Sequence, residues 1–140
     1  MSRLEPVRKL KATDAVESFD CGQVALNQFL QRHALNNQRA NSAQTYVCCD
    51  GEAVVGFYSL TVMILARLAV DQSFQGNGLG RALLKDALRR TLLAADIAGI
   101  RAVLVHAKDD EAREWYRKFD FKEGMTDPFH LFLVLKDLKQ

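Results

Sequence analysis

Gly76, Gly78 and Gly80, at alternate positions in the run QGNGLG, are the residues of this chain best suited to bind an anion. Lacking Cβ atoms, they let backbone N–H groups converge on a ligand oxygen, and a helix beginning directly after them adds the positive end of its dipole. Gln75 and the residues after it, through Asn77 and Leu79 to Gly80, therefore read as a phosphate cradle. Two common clients fail on residue type. A dinucleotide fingerprint, G-x-G-x-x-G, would need a third glycine where Arg81 stands, and a triphosphate loop, G-x-x-x-x-G-K-[ST], would need a lysine that is absent. A purely structural glycine turn stays open as the alternative.

Other chemistry-bearing residues are sparse. Cys21, Cys48 and Cys49 offer no sensible disulfide framework. Adjacent cysteines on a strand point to opposite faces, which also spoils a metal site, so reduced thiols and no metal are expected. His33 lies on or beside an apolar helix face and reads as structural. His106 and Asp109 suit strand and helix-cap roles. Helical spacing alone places Tyr116 in packing contact with Trp115 and Phe119.

The cradle has to be held between a strand and a helix. VMILARLAVD before it reads as strand, and RALLKDALRRTLLAA after it puts Ala82, Leu83, Ala87, Leu88 and Leu92 on one helical face. Upstream, Val7 to Lys11 makes a short first strand, and Asp20 or Cys21 opens a helix with Leu26, Phe29, Leu30, His33 and Ala34 on one side. NNQRANSAQ is a loop. Thr45 to Cys49 and Ala53 to Leu60 form a hairpin about Asp50-Gly51. Downstream, Gly99 ends the long helix, Ala102 to His106 is a buried strand, Lys108-Asp109-Asp110 caps the helix EAREWYRKF, and Phe129 to Lys136 is the last strand. The order predicts an α/β chain of the α+β mixed-sheet kind, a central mixed sheet flanked by helices.

One junction is awkward. From Val54 to Val70 no turn signal interrupts the run, and a single strand of that length would reach roughly 56 Å at about 3.3 Å per residue. A compact domain of this size has a radius of gyration of about 14 Å. The chain must therefore turn near residues 60–62 with poor turn chemistry, or a loop is missing or shortened there.

Composition bounds the rest. A chain of 140 residues that is 49% apolar and 26% charged is expected to be one soluble domain, residues 1–140, with a real core. Its net charge of +2 does not by itself point to nucleic acid. No apolar run approaches the roughly 20 residues that span a bilayer, and MSRLEPVRKLK has no apolar stretch behind its basic residues, so neither membrane insertion nor a signal peptide is expected.

QGNGLG, with Gln75, Gly78 and Gly80, resembles the Q/R-x-x-G-x-G/A motif of the GNAT acetyltransferase superfamily. Asp109, Ala112 and Tyr116 resemble its N-x-x-A-x-x-x-Y pattern. More narrowly, FDCG…LNQFL, TYVCCDGEAVVGFYSL, ILARLAVDQSFQGNGLG and AREWYRKFDF are similar, in order and over nearly the whole chain, to the GNAT-type toxins of bacterial type II toxin–antitoxin pairs. Two departures stand out: Asp120 occupies the glycine position of the usual FGF, and those toxins carry a longer connection between their third and fourth strands.

The resemblance implies the GNAT acyl-CoA N-acyltransferase fold, with acetyl-CoA lying in the splay between the fourth and fifth strands. Gln75, Gly76, Asn77, Gly78, Leu79, Gly80 and Arg81 would cradle its pyrophosphate. The backbone of Leu68, Ala69 and Val70 would pair with the pantetheine arm, and Asp109, at the second motif, would join the cofactor-binding residues. Tyr116 becomes the candidate general acid, because a phenol with pKa near 10 can protonate a departing thiolate at neutral pH. The implied acceptor is the α-amine of an aminoacyl-tRNA, whose modification blocks translation. Arg32, Arg39, Arg67, Lys85, Arg89 and Arg90 are candidates for its phosphates, and Arg67 stands apart as a lone cation within an apolar strand. A ribbon-helix-helix antitoxin, a homodimer and a cytoplasmic location complete what the resemblance implies. Acetylation of a small amine or protein N-terminus, and a CoA-binding or antitoxin-binding module without turnover, remain the rival readings.

Overall fold

The computed structural model describes residues 4–40, 43–60, 64–98, 102–124 and 127–134. Seven strands form one sheet: β1 (Arg8–Lys9), β2 (Gln44–Asp50), β3 (Ala53–Leu60), β4 (Ile64–Val70), β5 (Ala102–His106), β6 (Lys122–Glu123) and β7 (His130–Val134), in the order β1-β2-β3-β4-β5-β7-β6. Every pairing is antiparallel except β4 with β5. This is the mixed sheet the element order predicts.

Helices cover the sheet unequally. On one face α1 (Val24–Gln28), a π-helical turn (Phe29–His33) and α2 (Ala34–Arg39) seat Phe29, Leu30 and Ala34 on Val47, Cys49, Val54 and Phe57. On the other face α3 (Leu79–Ala98) and α4 (Asp110–Arg117) lay Leu83, Leu84, Ala87 and Tyr116 against Tyr58, Leu65, Val103 and Val105. β3 is buried on both sides, so its run VVGFYS alternates little. Gly56 lies under α3, where a Cβ would come 2.9 Å from Leu83 Cδ1. Cys48 and Cys49 point into opposite clusters as expected, and burial raises the pKa of all three free thiols.

Several local expectations are corrected. The first helix starts at Val24 rather than at Asp20 or Cys21, because the Asp20 carboxylate instead accepts bonds from the Gly22 N–H and the Asn27 amide. The π-turn adds a residue to the helical repeat and leaves His33 exposed instead of on the core face. The two-residue β6 was not foreseen, and β7 begins at His130. Asp120 does adopt the left-handed conformation of a glycine position, with φ of 70°. Only three residues separate antiparallel β3 from β4, so the sheet does reverse at the awkward junction; residues 61–63, like Gly99 and residues 135–136, lie outside the described residues.

Candidate active site

The site starts from an irregularity in β4. Its register with β3 runs Gly56↔Val70, Phe57↔Ala69, Tyr58↔Leu68 and Ser59↔Arg67, then slips to Leu60↔Leu65. The extra residue is a β-bulge at Ala66, and a bulge bends its strand and strengthens the local twist. β5 pairs with β4 only at Ile64↔Leu104 and Leu65↔Val105, on the near side of that bulge. Beyond it the two strands part. Leu68, Ala69 and Val70 stay bonded to β3 on one edge and present an unpaired edge toward β5, a slot that fits an extended amide-containing chain.

At the end of β4 the chain is pinned before it turns. The Asp71 N–H donates to Val55 O (2.9 Å), and its carboxylate accepts from the Asp20 N–H (2.9 Å), the Ser73 N–H (3.0 Å) and the Ser73 hydroxyl (2.7 Å). Gln75 is part of this scaffold: its side-chain amide donates to Val70 O (2.8 Å) and Cys21 O (3.1 Å). Its side chain therefore holds the turn in place. Gly76 and Gly78 follow with φ of 82° and 83°, values L side chains rarely adopt, and nothing lies within 4 Å of where their Cβ atoms would be. The turn is thus open to a ligand.

α3 begins at Leu79, and its first bond runs from the Ala82 N–H to Gly78 O (3.1 Å). The N–H groups of Leu79, Gly80 and Arg81 belong to a first turn with no intrahelical acceptors. Leu79 itself is buried, so only its backbone faces a ligand, whereas Asn77 and Arg81 are exposed. A groove of about 690 Å³ runs beside the turn between Ser73, Asn77, Gly78 and Ala82 on one side and Leu4 and Asp50 on the other. None of its lining comes from β5 or α4, so it suits the outer part of a ligand and not the reacting end.

α4 brings Tyr116 to the other flank. Asp109 caps this helix, its carboxylate accepting from the Ala112 N–H at 2.8 Å, and that bond occupies it as the cap the sequence suggested. Trp115 lies close to α3, 3.5 Å from where a Cβ on Gly80 would be. Tyr116 sits edge-on to Trp115 and Phe121, with centroids 5.0 and 5.5 Å away, and is 9% exposed. Its hydroxyl has no hydrogen-bond partner among the described residues, yet it is not a sealed, unsatisfied atom. It therefore keeps a trace of solvent access. Burial pushes its pKa up to about 12, so the phenol stays protonated across the neutral range.

Two features were not legible in sequence. His106 and His130 sit opposite each other on β5 and β7, ring centroids 4.4 Å apart, and with Asp127 their donor atoms lie within 4.8 Å of one another. The basic candidates also do not form one patch. Arg89 and Arg90 are held by Asp86 on the α3 side (3.1 and 2.8 Å), and Lys85 is exposed on the same helix. Arg32 and Arg39 are exposed on the opposite side, and Arg67 stacks over Phe29 there at 3.8 Å.

The chain also has matches among known proteins. The acetyltransferase (GNAT) domain family matches residues 11–130. The chain is 40% identical to the tRNA-acetylating toxin of Mycobacterium tuberculosis, over 99% of this chain and 97% of that one. Among solved structures it is similar to a Tyr-to-Phe mutant of the toxin AtaT bound to the C-terminus of the antitoxin AtaR and acetyl-CoA. That match has a TM-score of 0.89 and 27% identity, covering 97% of this chain and 96% of that one. It is also similar to AtaTR bound with acetyl-CoA, with a TM-score of 0.90 and 28% identity over the same shares. Among the described residues no helix is long and apolar enough to cross a membrane.

Proposed function

The chain belongs to the GNAT acetyltransferase family, and from that premise we propose that it is a toxin that moves an acetyl group from acetyl-CoA to the α-amine of an aminoacyl-tRNA, inhibiting translation. The observation that carries the acceptor is the 40% identity, over nearly all of both chains, to a tRNA-acetylating toxin. The chemistry is supported by the site: an open glycine turn, an unpaired β4 edge, and a buried phenol with a free hydroxyl.

Acetyl-CoA supplies the activated acetyl group. The N–H groups of Gly76, Asn77, Gly78, Leu79, Gly80 and Arg81 hold its diphosphate at the positive end of α3. Gln75 keeps that turn against Val70, and the backbone of Leu68, Ala69 and Val70 orients the pantetheine arm toward the bulge. The nitrogen forms the amide bond as the C–S bond breaks, Tyr116 donates its proton to the departing sulfur, and the proton the nitrogen gives up restores the Tyr116 phenol, so protons balance. An aminoacyl ester has an amine near or below the roughly 7.7–8.0 of a chain terminus, and much of it is neutral at pH 7, which removes the need for a dedicated base. Asp109 serves by capping the helix that carries Tyr116.

The same reading makes residues 1–140 a single cytoplasmic acetyltransferase domain, a homodimer restrained by a ribbon-helix-helix antitoxin. The alignment to the M. tuberculosis toxin is 161 positions long against 140 residues here, so at least 21 positions of that protein have no counterpart in this chain. The test is cell-free translation with and without acetyl-CoA, followed by mass spectrometry of the aminoacyl-tRNA pool. Acetyl-CoA-dependent arrest with N-acetylated aminoacyl-tRNA is expected; an unmodified pool would reject the reading.

A further inference from the structure

We infer that His106, Asp127 and His130 form a binding site for one divalent transition-metal ion of the zinc class, which clamps the ends of β5 and β7 together. The inference does not depend on the acetyl-transfer reading above. His106 ends β5, His130 begins β7, and the two stand directly opposite each other in the ladder. The Ala107 N–H donates to Phe129 O (2.7 Å), so the pair lies between hydrogen bonds of the ladder, where cross-strand side chains come closest. Their rings meet edge to face, with centroids 4.4 Å apart and planes at 84°.

Asp127 brings a third donor from the turn that leads into β7. One of its carboxylate oxygens accepts from the Phe129 N–H (2.9 Å), and its carbonyl accepts from the His130 N–H (3.1 Å). The Gly124 N–H donates to His130 O (2.7 Å), which ties the turn to β6. The other carboxylate oxygen of Asp127 is left 3.7 Å from His130 Nε2, too far for a hydrogen bond. One ligand atom from each of the three residues lies within 4.8 Å of the others. Around zinc, bonds of about 2.0–2.2 Å set neighbouring ligand atoms roughly 3.4 Å apart. Rotation of the two imidazoles closes that gap, because both are exposed.

The donors select the ion. Two imidazoles and one carboxylate suit zinc and its first-row neighbours, whereas magnesium and calcium need six or more oxygens and find one carboxylate here. Among the described residues no hydrogen bond engages either imidazole, so their nitrogens are available to a metal. Three protein ligands leave a fourth position for water. His106 alternates along β5 with Val105, which packs in the same cluster as Tyr116, so the site lies on the opposite face of the sheet from the phenol. An ion there holds the end of β5, just before the Asp109 cap of α4, and takes no part in proton transfer. Metal-ligand spacing in the sequence does not show the set, because His106 reaches the Asp127–His130 turn only through strand pairing.

The test titrates the untagged, chelator-treated chain with Zn2+ in a calorimeter and with Co2+ by visible absorption. One ion per chain and a four-coordinate Co2+ spectrum are expected, and Zn2+ at about 100 times its Kd should raise Tm by at least about 5 °C. His106→Gln and Asp127→Asn should each weaken Zn2+ binding by at least about tenfold and abolish the thermal shift. His33→Gln, which alters an exposed histidine elsewhere, should change neither. Asp127→Asn carries the test if His106→Gln does not fold. No saturable Zn2+ binding by the wild type, unchanged affinity in the folded site variants, or an equal loss in His33→Gln would overturn the inference. A thermal shift with Mg2+ as large as that with Zn2+ would overturn the assigned class of ion.

Discussion

Replacing Tyr116 by Phe removes one oxygen and separates the catalytic role of this residue from its packing role. The ring contacts to Trp115 and Phe121 survive the change, and the hydroxyl has no partner among the described residues, so folding stability at pH 7 should be unchanged or slightly raised. Loss of a general acid should lower kcat by about 10²- to 10⁴-fold, or roughly 3–5 kcal/mol of barrier at about 1.4 kcal/mol per decade. Two pH readouts sharpen the test. With its pKa at about 12, Tyr116 remains protonated to pH 10, so wild-type kcat/KM should rise through the amine's titration near pH 8 and then stay level. The second readout is stability. The folded-state pKa lies above the unfolded value near 10, so between about pH 10 and 12 unfolding releases a proton and rising pH favours the unfolded chain, by about 3 kcal/mol in full. Tyr116→Phe should remove that alkaline loss, while Tyr58, whose pKa burial and the Asp86 carboxylate also raise, keeps its own share. Stopped-flow assays of CoA release with urea unfolding at pH 7 and 10.5 would measure both. A variant within threefold of wild-type kcat, or a wild-type rate that falls between pH 8 and 10, would refute the assignment.

Gly78→Val forces a β-branched residue to a φ of 83°, which should cost about 1–2 kcal/mol and reorient the turn, raising the acetyl-CoA Kd by at least about tenfold in calorimetry. Asp120→Gly relieves a φ of 70° at the end of α4 and should change stability by less than about 1 kcal/mol in the stabilising direction, whereas Asp120→Val should lose about 1–2 kcal/mol in denaturant titrations. Burial alone would raise the Asp86 pKa, but hydrogen bonds from Tyr58 (2.5 Å), Arg90 (2.8 Å) and Arg89 (3.1 Å) outweigh it and hold the carboxyl below its usual range. The stabilisation this provides is complete above about pH 4 and is lost as pH falls through the lowered value. Asp86→Asn should therefore cost about 1–3 kcal/mol at pH 7 and converge with wild type in acid, as seen by thermal unfolding across pH.

Local chemistry accounts for what could be read from the chain itself. A glycine's tolerance of positive φ, the 3.6-residue period of α3 and the cap at Asp109 are properties of short segments, so the turn, the long helix and the Tyr116 helix were all legible. Asp120 shows the same: a motif position that normally holds glycine takes a left-handed backbone here too. Gln75 was legible only in part, because the carbonyls it binds come from Val70 and the distant Cys21.

Tertiary structure decided everything that depends on two segments choosing a register. The bulge at Ala66 is invisible in ILARLAV, since its position follows from how β4 matches β3 while Leu65 and Leu68 both face the α3 core. That single extra residue ends the β4–β5 pairing after Leu65 and opens a slot between the two strands. The π-turn that exposes His33, the opposed His106 and His130, and Arg67 over Phe29 are likewise contacts between residues far apart in sequence. The chain by itself determined a glycine cradle and a phenol. The slot between β4 and β5 was decided by strand register, because only pairing across the sheet sets where two parallel strands must part.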